Sequence, residues 1–285
     1  MELKFRLLTL DDVPAIRTLS DSMDMRNDPK IGETAERIIN DPVCDLYGAF
    51  AEGILVGVGG LRMLTSQYAW IEDVRVHGEY QRMGVGTGIF NYGEELARKK
   101  NCTLVAYQTV TENKGSCRIG ENLGFKRSHE MTAFYIRQER APAQEKDTST
   151  LEPLPPEEAL SLLKKMPRAP TEEICIGWAY RPLVASIFDD NPDMNFFVVK
   201  DTLALEVRGR GVTAGDIQYV NVIIYGNEEN VLPLLEEMRR RNRNTEWIFC
   251  LVPGPLVSVL EGTDFTYGRV WNGEKNIVAL FKKHL

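Results

Sequence analysis

The chain has 285 residues, nearly twice the about 150 residues of a typical domain, so its length predicts two domains. Hydrophobic residues make up 43% and charged residues 26%, which excludes a disordered or collagen-like chain. A net charge of −7 gives no general basic surface for nucleic acid, and no apolar run approaches the roughly 20 residues that span a membrane. We therefore expect a globular protein with neither a nucleic-acid partner nor a membrane partner.

The cysteines and histidines predict neither a disulfide framework nor a metal site. The five cysteines are odd in number and widely spaced, and with only three histidines the chain has no CxxC or Cys/His cluster. His77 and His129 are interpreted as loop or surface residues rather than bases. Scattered free thiols are typical of a reducing compartment, and the first residues, MELKFRLLTLDD, lack the long apolar core of a secretory signal. Together these features predict a cytoplasmic protein that holds no metal.

Hydrophobic periodicity in the first half predicts the element order β-α-α-β-β-β-α-β-α-β. The first strand, residues 3–8, precedes a helix that Thr9 caps and whose core stripe is Val13, Ile16 and Leu19. The later predicted elements are a helix at 33–39, strands at 46–52, 55–64 and 69–76, a helix at 87–100, a strand at 103–110, a helix at 114–123 and a strand at 131–137. This order predicts an α/β fold with a mixed sheet rather than a doubly wound one.

A polar segment rich in Pro, Glu and Gln, residues 137–158, separates the two halves. We therefore predict domains at 1–138 and 159–285 with a linker at 139–158. Because the predicted elements of the second half repeat the later part of the first half, the second domain is expected to share its fold. These elements are strands at 196–199, 203–207 and 219–225, a helix at 228–241, a strand at 247–252, a short helix at 256–261 and a strand at 278–281.

The most informative segment is a glycine-rich turn between the strand that ends at Val76 and the next helix. Its residues read Gln81-Arg-Met-Gly84-Val-Gly86-Thr87. Glycines let the backbone approach a ligand closely, and the N–H groups at a helix N-terminus bind anions, with pyrophosphate as the natural ligand. The dinucleotide motif GxGxxG fails because Ile89 replaces its last glycine, and the Gly-Lys-Ser/Thr of ATP-binding loops is absent.

The pattern Gln81-x-x-Gly84-x-Gly86 resembles the pyrophosphate loop of the GNAT N-acetyltransferase superfamily. A second segment, Asn113-Lys-Gly-Ser116-Cys-Arg-Ile119-Gly-Glu-Asn-Leu123-Gly124-Phe125, is similar to that superfamily's second signature. The resemblance covers residues 3–138 and implies the GNAT fold with acetyl-CoA as co-substrate. It implies that acetyl-CoA contacts the strand residues Val74, Arg75 and Val76, the loop residues Gln81, Arg82, Met83, Gly84, Val85, Gly86 and Thr87, and the motif residues Asn113 and Ser116. Asn113 is also expected to cap its helix.

The resemblance also implies the chemistry, which is direct attack of an amine on the thioester in a ternary complex. Glu72 is the predicted base, acting directly or through a water; alternatively it is a solvated edge carboxylate. The superfamily's usual acid is a tyrosine at the position of Gly120, and Gln108 stands where a glutamate base is found in other members. Tyr107 or a water is therefore the candidate acid, unless the thiolate leaves unaided.

The candidate substrate-binding residues of the second half are Trp178, Tyr180 and Arg181. Two aromatic rings beside an arginine suit a carboxylate-bearing amine, with Arg181 gripping the carboxylate; an aromatic hinge packed between domains is the alternative. With the strand and helix that follow, this stretch resembles the second domain of vertebrate histidine N-acetyltransferases and their relatives. That arrangement implies a degenerate second GNAT-like domain, and the acidic pair Glu228 and Glu229 predicts that it binds no CoA.

The resemblance thus predicts an acetyl-CoA-dependent N-acetyltransferase that acetylates the primary amine of a small molecule, for example a free amino acid. A peptide or protein N-terminus is the competing acceptor. A catalytically silent CoA-binding sensor is the alternative outside the enzymes, and the missing tyrosine at Gly120 permits it. The arginine-rich run at 239–243 ends a predicted helix and is interpreted as a solvated helix end rather than a nucleic-acid site.

Overall fold

The computed structural model describes residues 1–22, 31–138, 149–166, 172–176, 179–183, 187, 194–208, 219–267 and 276–285. The chain divides into two compact units. Unit 1 consists of Met1–Thr109, Asn113–Ser128 and Leu280–Leu285, and unit 2 of Val110–Glu112 and His129–Ala279. The domain boundaries predicted at residues 138 and 159 stay a prediction. The end of the chain, Leu280–Leu285, belongs to unit 1.

Unit 1 is a mixed sheet with helices on its faces. The strands follow the order β1-β2-β3-β4-β5, after which comes the C-terminal strand β14 (Asn276–His284). Neighbours from β1 to β4 are antiparallel, whereas β4 and β5 are parallel. The elements are β1 (Leu3–Leu7), α1 (Val13–Asp21), α2 (Ile31–Ile39), β2 (Cys44–Ala51), β3 (Ile54–Met63), β4 (Tyr68–Val76), α3 (Val85–Lys99), β5 (Leu104–Val110) and α4 (Lys114–Asn122).

The core of unit 1 follows from the apolar spacing of its helices. The predicted stripe of α1, Val13, Ile16 and Leu19, is buried together with apolar residues of α2, β2 and β3. On β3, Gly57 and Gly59 make room for α3, because a Cβ at either position would lie under 3.0 Å from a side-chain carbon of Ile89. Since successive strand residues point to opposite faces, both faces of β3 are covered.

Unit 2 repeats the order of hairpin, parallel strand and helix. Its sheet order is β6-β12-β11-β10-β9, with β13 also paired to β6; β11 and β12 are parallel, and the other pairs described in this order are antiparallel. The mixed α/β fold class predicted for both halves is therefore confirmed. The elements are β6 (Lys126–Arg137), α5 (Pro156–Leu163), β7 (Glu173–Ile176), β8 (Ala179–Pro182), β9 (Met194–Val199), β10 (Thr202–Arg208), β11 (Tyr219–Gly226), α6 (Val231–Arg241), β12 (Trp247–Pro253), α7 (Val257–Leu260) and β13 (Thr266–Tyr267).

The sequence analysis did not predict four elements of unit 2, which are helix α5 and the strands β7, β8 and β13. Helix α5 begins inside the segment predicted as a linker, so residues 156–158 are helical, and residues 139–148 of that segment lie outside the described residues. Proline is favoured at the first position of a helix, and the prediction of a proline-rich linker did not take this into account. The strands β7 and β8 have four residues each and form a separate antiparallel pair, too short for a periodic signal. Within the described ranges, no helix is both long and apolar enough to cross a bilayer.

The C-terminal segment is anchored in unit 1 by both apolar and charged contacts. Leu280 and Phe281 are fully buried, and Phe281 stacks on Tyr107 with ring centroids 4.9 Å apart. The Lys283 ammonium donates to both carboxylate oxygens of Glu94, at 2.8 and 2.7 Å. The Glu94 side chain is only 9% exposed, so this ion pair is largely shielded from water.

We predict that Lys283→Ala lowers the free energy of unfolding by about 2–3 kcal/mol, because it leaves the carboxylate of Glu94 buried beside Arg98 as its remaining cation. Urea denaturation followed by circular dichroism measures the change. The matched control is Lys99→Ala, which breaks an exposed pair with Glu95 on the same helix and should leave the midpoint unchanged. Equal effects of the two substitutions would show that the C-terminal strand is not held by its ion pair.

Candidate active site

The parallel strands β4 and β5 pair over only part of their length. Their register runs through Tyr68 with Leu104, Ala69 with Val105 and Trp70 with Ala106, where the pairing ends. Both strands continue, β4 to Val76 and β5 to Val110. Because β4 and β5 are no longer paired to each other there, the backbone of β4 lines an opening in the sheet.

A bulge in β4 lies where the opening begins. The register against β3 shifts between Val58 and Gly60, so that Asp73 and Val74 of β4 face the single residue Gly59. Asp73 has a φ of 54°, in the left-handed region that non-glycine residues seldom occupy. A bulge bends its strand and increases the local twist, which accounts for the departure of β4 from β5.

Helix α3 begins just after β4 and leaves its first amides without partners in the helix. Gly84 is the N-cap, has a φ of 87°, and offers no side chain as a cap. The first hydrogen bond of the helix runs from the Gly88 N–H to the Gly84 carbonyl at 2.9 Å. The N–H groups at 85–87 therefore have no acceptor within the helix, which is the arrangement of an anion site.

The two predicted motifs meet at Gly86. A Cβ on Gly86 would lie 3.0 Å from the Cδ1 atom of Ile119 in α4, so glycine allows α3 and α4 to approach. In the same loop, Arg82 has a positive φ of 63°. Gln81, Arg82 and Met83 are exposed. The loop is thus an accessible turn that ends on a helix N-terminus.

The second motif is organised by capping. Asn113 is the N-cap of α4, where its Oδ1 accepts from the Ser116 N–H at 3.1 Å, as the sequence predicted. The carbonyl of Ser116 accepts from the Tyr107 hydroxyl at 3.0 Å. Both motif residues therefore have structural partners, and their predicted contacts with acetyl-CoA stay predictions.

Tyr107 is buried, and its position explains why a glycine, Gly120, stands where the superfamily usually has a tyrosine. Its ring packs against Phe90, Phe125 and Phe281, and burial raises the pKa of its hydroxyl above the ordinary value. A Cβ on Gly120 would lie 1.9 Å from the Tyr107 Oη atom. No side chain fits at position 120 while Tyr107 holds this place. The role of Tyr107 as an acid stays a prediction, since its hydroxyl is engaged with α4.

Glu72 lies on β4 between the last residue paired to β5 and the bulge. One carboxylate oxygen, Oε1, accepts from the Arg62 Nε at 2.8 Å and lies 3.8 Å from the Cys44 Sγ. The Arg62 Nη1 in turn donates to Asp41 Oδ2 at 2.7 Å, and this hydrogen bond lowers the pKa of Asp41. Sequence reasoning missed Arg62, Asp41 and Cys44, although an arginine in the apolar strand β3 was a signal for a charged partner.

The backbone around the predicted acyl-arm residues is partly engaged. The Val74 carbonyl accepts from the Arg75 guanidinium at 3.0 Å. Val74, Arg75 and Val76 are all partly accessible. His77 lies in the turn after β4, where its Nδ1 accepts from the Glu79 N–H at 3.3 Å, in agreement with the interpretation as a loop residue.

The predicted substrate-binding residues belong to unit 2. Trp178 lies outside the described residues. Tyr180 is only 1% exposed, and burial raises the pKa of its hydroxyl well above the ordinary value. Arg181 donates to the Tyr180 carbonyl at 2.9 Å. Their role toward a substrate stays a prediction. In the described part of the chain, no group of three or more His, Cys, Asp or Glu side chains could hold a metal ion.

Comparison with known proteins identifies the first of the two predicted domains. Residues 14–125 match the family model described as Acetyltransferase (GNAT) family, so the chain carries a GNAT acetyltransferase domain, as its two motifs predicted. A comparison with curated proteins finds no match.

Solved structures extend the fold to the whole chain. A candidate acetyltransferase from Thermoplasma acidophilum is similar with a TM-score of 0.64 at 15% identity, covering 99% of this chain and 100% of that one. A GCN5-related N-acetyltransferase from Sphaerobacter thermophilus gives 0.61 at 15% identity, covering 99% and 95%. A tandem GNAT protein from the clavulanic acid biosynthesis pathway gives 0.58 at 15% identity, covering 99% and 98%. At such identities these structures show the fold, and the predicted second GNAT-like domain is confirmed at that level.

We predict that Gly120→Ala destabilises the protein by about 1–3 kcal/mol, because the added methyl group overlaps the Tyr107 hydroxyl. In a double-mutant cycle, Tyr107→Phe should recover part of this loss, since it removes the nearest clashing atom. Thermal and urea denaturation of the four proteins measure the coupling. Additive effects would contradict the contact between the two positions.

Proposed function

We propose that the protein transfers the acetyl group of acetyl-CoA to the primary amine of a small molecule, of which a free amino acid is the leading example. The observation that carries the proposal is the opening between β4 and β5 beside the uncapped N-terminus of α3. The opening offers strand backbone, and the first turn of α3 offers helix amides close to the end of β4, since a Cβ on Gly86 would lie 3.9 Å from the Val76 Cγ2 atom. Few ligands other than a pyrophosphate joined to an amide-containing arm would use both.

The residues at the opening suit acetyl-CoA. The amides at 85–87 have no acceptor in the helix, and Gly84 places no side chain in front of them. The Val74 carbonyl is engaged by Arg75, so we assign the contacts of the pantetheine arm to the remaining backbone groups of Val74 and Val76. Acetyl-CoA would supply the activated thioester; the protein would supply position, hydrogen bonds and a route for the proton.

The acceptor amine enters as an ammonium ion and must lose a proton before it can attack. Both hydrogen bonds that the described residues make to the Glu72 side chain, from Arg62 and from Cys44, end on Oε1 and leave Oε2 to a substrate. This oxygen accepts the ammonium proton, the neutral amine forms the new C–N bond, and the C–S bond breaks. The second amine proton accompanies the thiol, and Glu72 releases its own to water, so the reaction yields amide, thiol and one proton.

The charges near Glu72 favour a cationic acceptor. Asp41, Glu72 and Asp73 are carboxylates, and Arg62 is the cation that two of them share. Arg37 also acts on Asp41, so the cluster has three carboxylates and two cations and keeps a net negative charge, which attracts an ammonium ion rather than a carboxylate. This supports an amine substrate. The rest of the substrate's structure would be identified by a screen of amines.

A CoA-binding sensor without turnover is the second candidate. It is favoured by the engagement of the Tyr107 hydroxyl with α4 and by the glycine at 120, which together leave the thiolate without the usual acid. The two candidates differ in one respect that is easily measured. The sensor binds acetyl-CoA and releases no thiol with any amine.

The test combines calorimetric titration of acetyl-CoA with a thiol-release assay over the twenty amino acids and common polyamines. We expect binding, thiol release with at least one amine, and a loss of about 100-fold in kcat for Glu72→Gln with an unchanged Kd for acetyl-CoA. Glu95→Gln, an exposed change on α3, is the matched control and should leave kcat unchanged. Binding without turnover supports the sensor, and no binding contradicts the proposal.

We also predict that the folded protein contributes almost no thiol signal to this assay. Burial and the charge of Glu72 raise the pKa of Cys44 from 9.0 to about 12, and burial raises that of Cys175 to about 12. Their thiolates are therefore scarce at pH 8, and the stability that these thiols contribute is lost only as the pH rises from about 9 toward 12. A disulfide reagent at pH 8 should react slowly with native protein and with all five cysteines after denaturation. Rapid reaction of Cys44 in the native state would contradict its burial.

A further inference from the structure

A chain of polar contacts connects Glu72 to residues that the sequence motifs do not include. Asp41 follows α2, Arg62 lies near the end of β3 and Glu72 lies on β4. Their side chains are 22%, 19% and 18% exposed, so the chain of contacts is shielded from water but not sealed. Partly buried charges of this kind are costly unless each has a partner, and here each has one.

Arg62 holds the two carboxylates with different atoms of its guanidinium group. Its Nε donates to Glu72 at 2.8 Å and its Nη1 to Asp41 at 2.7 Å. The planar group fixes the angle between these two bonds, which a lysine ammonium cannot do. Because Asp41 secures the far end, the guanidinium has little freedom to rotate away from Glu72.

The strands leave room for this arrangement. Gly60 is paired with Glu72, and a Cβ at Gly60 would lie 3.3 Å from the Glu72 Cγ. Cys44 is paired with Arg62 across β2 and β3, and its thiol lies 3.8 Å from the same oxygen, Oε1. Glu72 is therefore held at Oε1 from two sides, by a cation and by a neutral thiol.

We propose that Arg62 is a positioning residue of the acetyl-transfer site, which, secured by Asp41, fixes Glu72 through Oε1 and keeps Oε2 available to the acceptor ammonium. The proposal rests on the proposed function. It assigns Arg62 two effects on the reaction: it orients the base, and it places a positive charge 2.8 Å from the carboxylate oxygen Oε1. The groups that act on Glu72 or on this pair are Arg62, Asp41, Cys44, Asp73 and, through Asp41, Arg37.

The test is the pH dependence of kcat/KM for Arg62→Met and Arg62→Lys in the full-length protein. Arg62→Met should lower kcat about 10- to 100-fold and move the acidic limb of the profile up by about one pH unit, because a carboxylate without a neighbouring cation holds its proton more tightly. Arg62→Lys restores the charge but not the geometry, so it should return the limb toward the wild-type position while kcat stays low. The Kd for acetyl-CoA should not change in either variant.

Asp41→Asn keeps the test decisive if Arg62→Met does not fold. It should lower kcat several-fold without moving the acidic limb, since Arg62 remains charged but is less firmly held. Arg17→Met, which breaks the exposed pair with Glu36, is the matched control and should leave kcat and the profile unchanged.

The outcomes separate this proposal from the function on which it rests. Wild-type protein that binds no acetyl-CoA, or binds it and releases no thiol, overturns the proposed function. An active wild-type protein whose folded Arg62 and Asp41 variants keep kcat and the acidic limb overturns the role of Arg62 alone. A loss of kcat in Arg62→Met with no movement of the acidic limb also overturns it, because a purely structural contact would behave in that way.

Discussion

The separation of β4 from β5 beyond Trp70 and Ala106 is the constraint on which the rest of the site depends. Two strands that stop pairing leave backbone groups without partners, which is unfavourable unless a ligand or water satisfies them. The bulge at Asp73 makes the separation possible, and the loop after β4 leads to the N-terminus of α3, where Gly86 lies close to Val76 at the end of β4. Features that would weaken an ordinary sheet are together the basis on which we propose a site for an extended anionic ligand.

Unit 2 has a parallel pair, β11 and β12, that corresponds to β4 and β5, but the loop after β11 differs from the loop after β4. After β11 the backbone turns at Gly226, with a φ of 127°, and a Cβ there would lie 2.4 Å from the Asp201 carbonyl oxygen. The side chains of Asn227 and Asn230 both donate to the Asp201 carboxylate, and the Asn227 N–H donates to the Thr202 hydroxyl. This loop satisfies its own polar groups and carries acidic residues, which supports the interpretation that unit 2 lacks a pyrophosphate site.

The sequence predicted what depends on local pattern. The stripe of α1, the cap at Asn113 and the turn at Gly84 were predicted because periodicity, capping and backbone conformation are local properties. It did not predict what depends on distant packing. The contact of Tyr107 with Gly120, the ion pair of Lys283 with Glu94 and the place of Leu280–Leu285 in unit 1 each join segments far apart in the chain. Glu72 was predicted as the base from its position in the sequence, whereas its hydrogen bond with Arg62 depends on the register of β3 and β4, which the sequence does not give.

The most direct test of the account is hydrogen exchange by mass spectrometry, with and without acetyl-CoA. We expect acetyl-CoA to slow exchange in the β4 residues 74–76 and in the loop and first turn of α3, residues 82–88, because the ligand would accept from those amides. We expect little change in the loop after β11, which closes on its own side chains. Protection in that loop of unit 2, with none at 74–76 or 82–88, would contradict the assignment of the opening between β4 and β5 as the acetyl-CoA site.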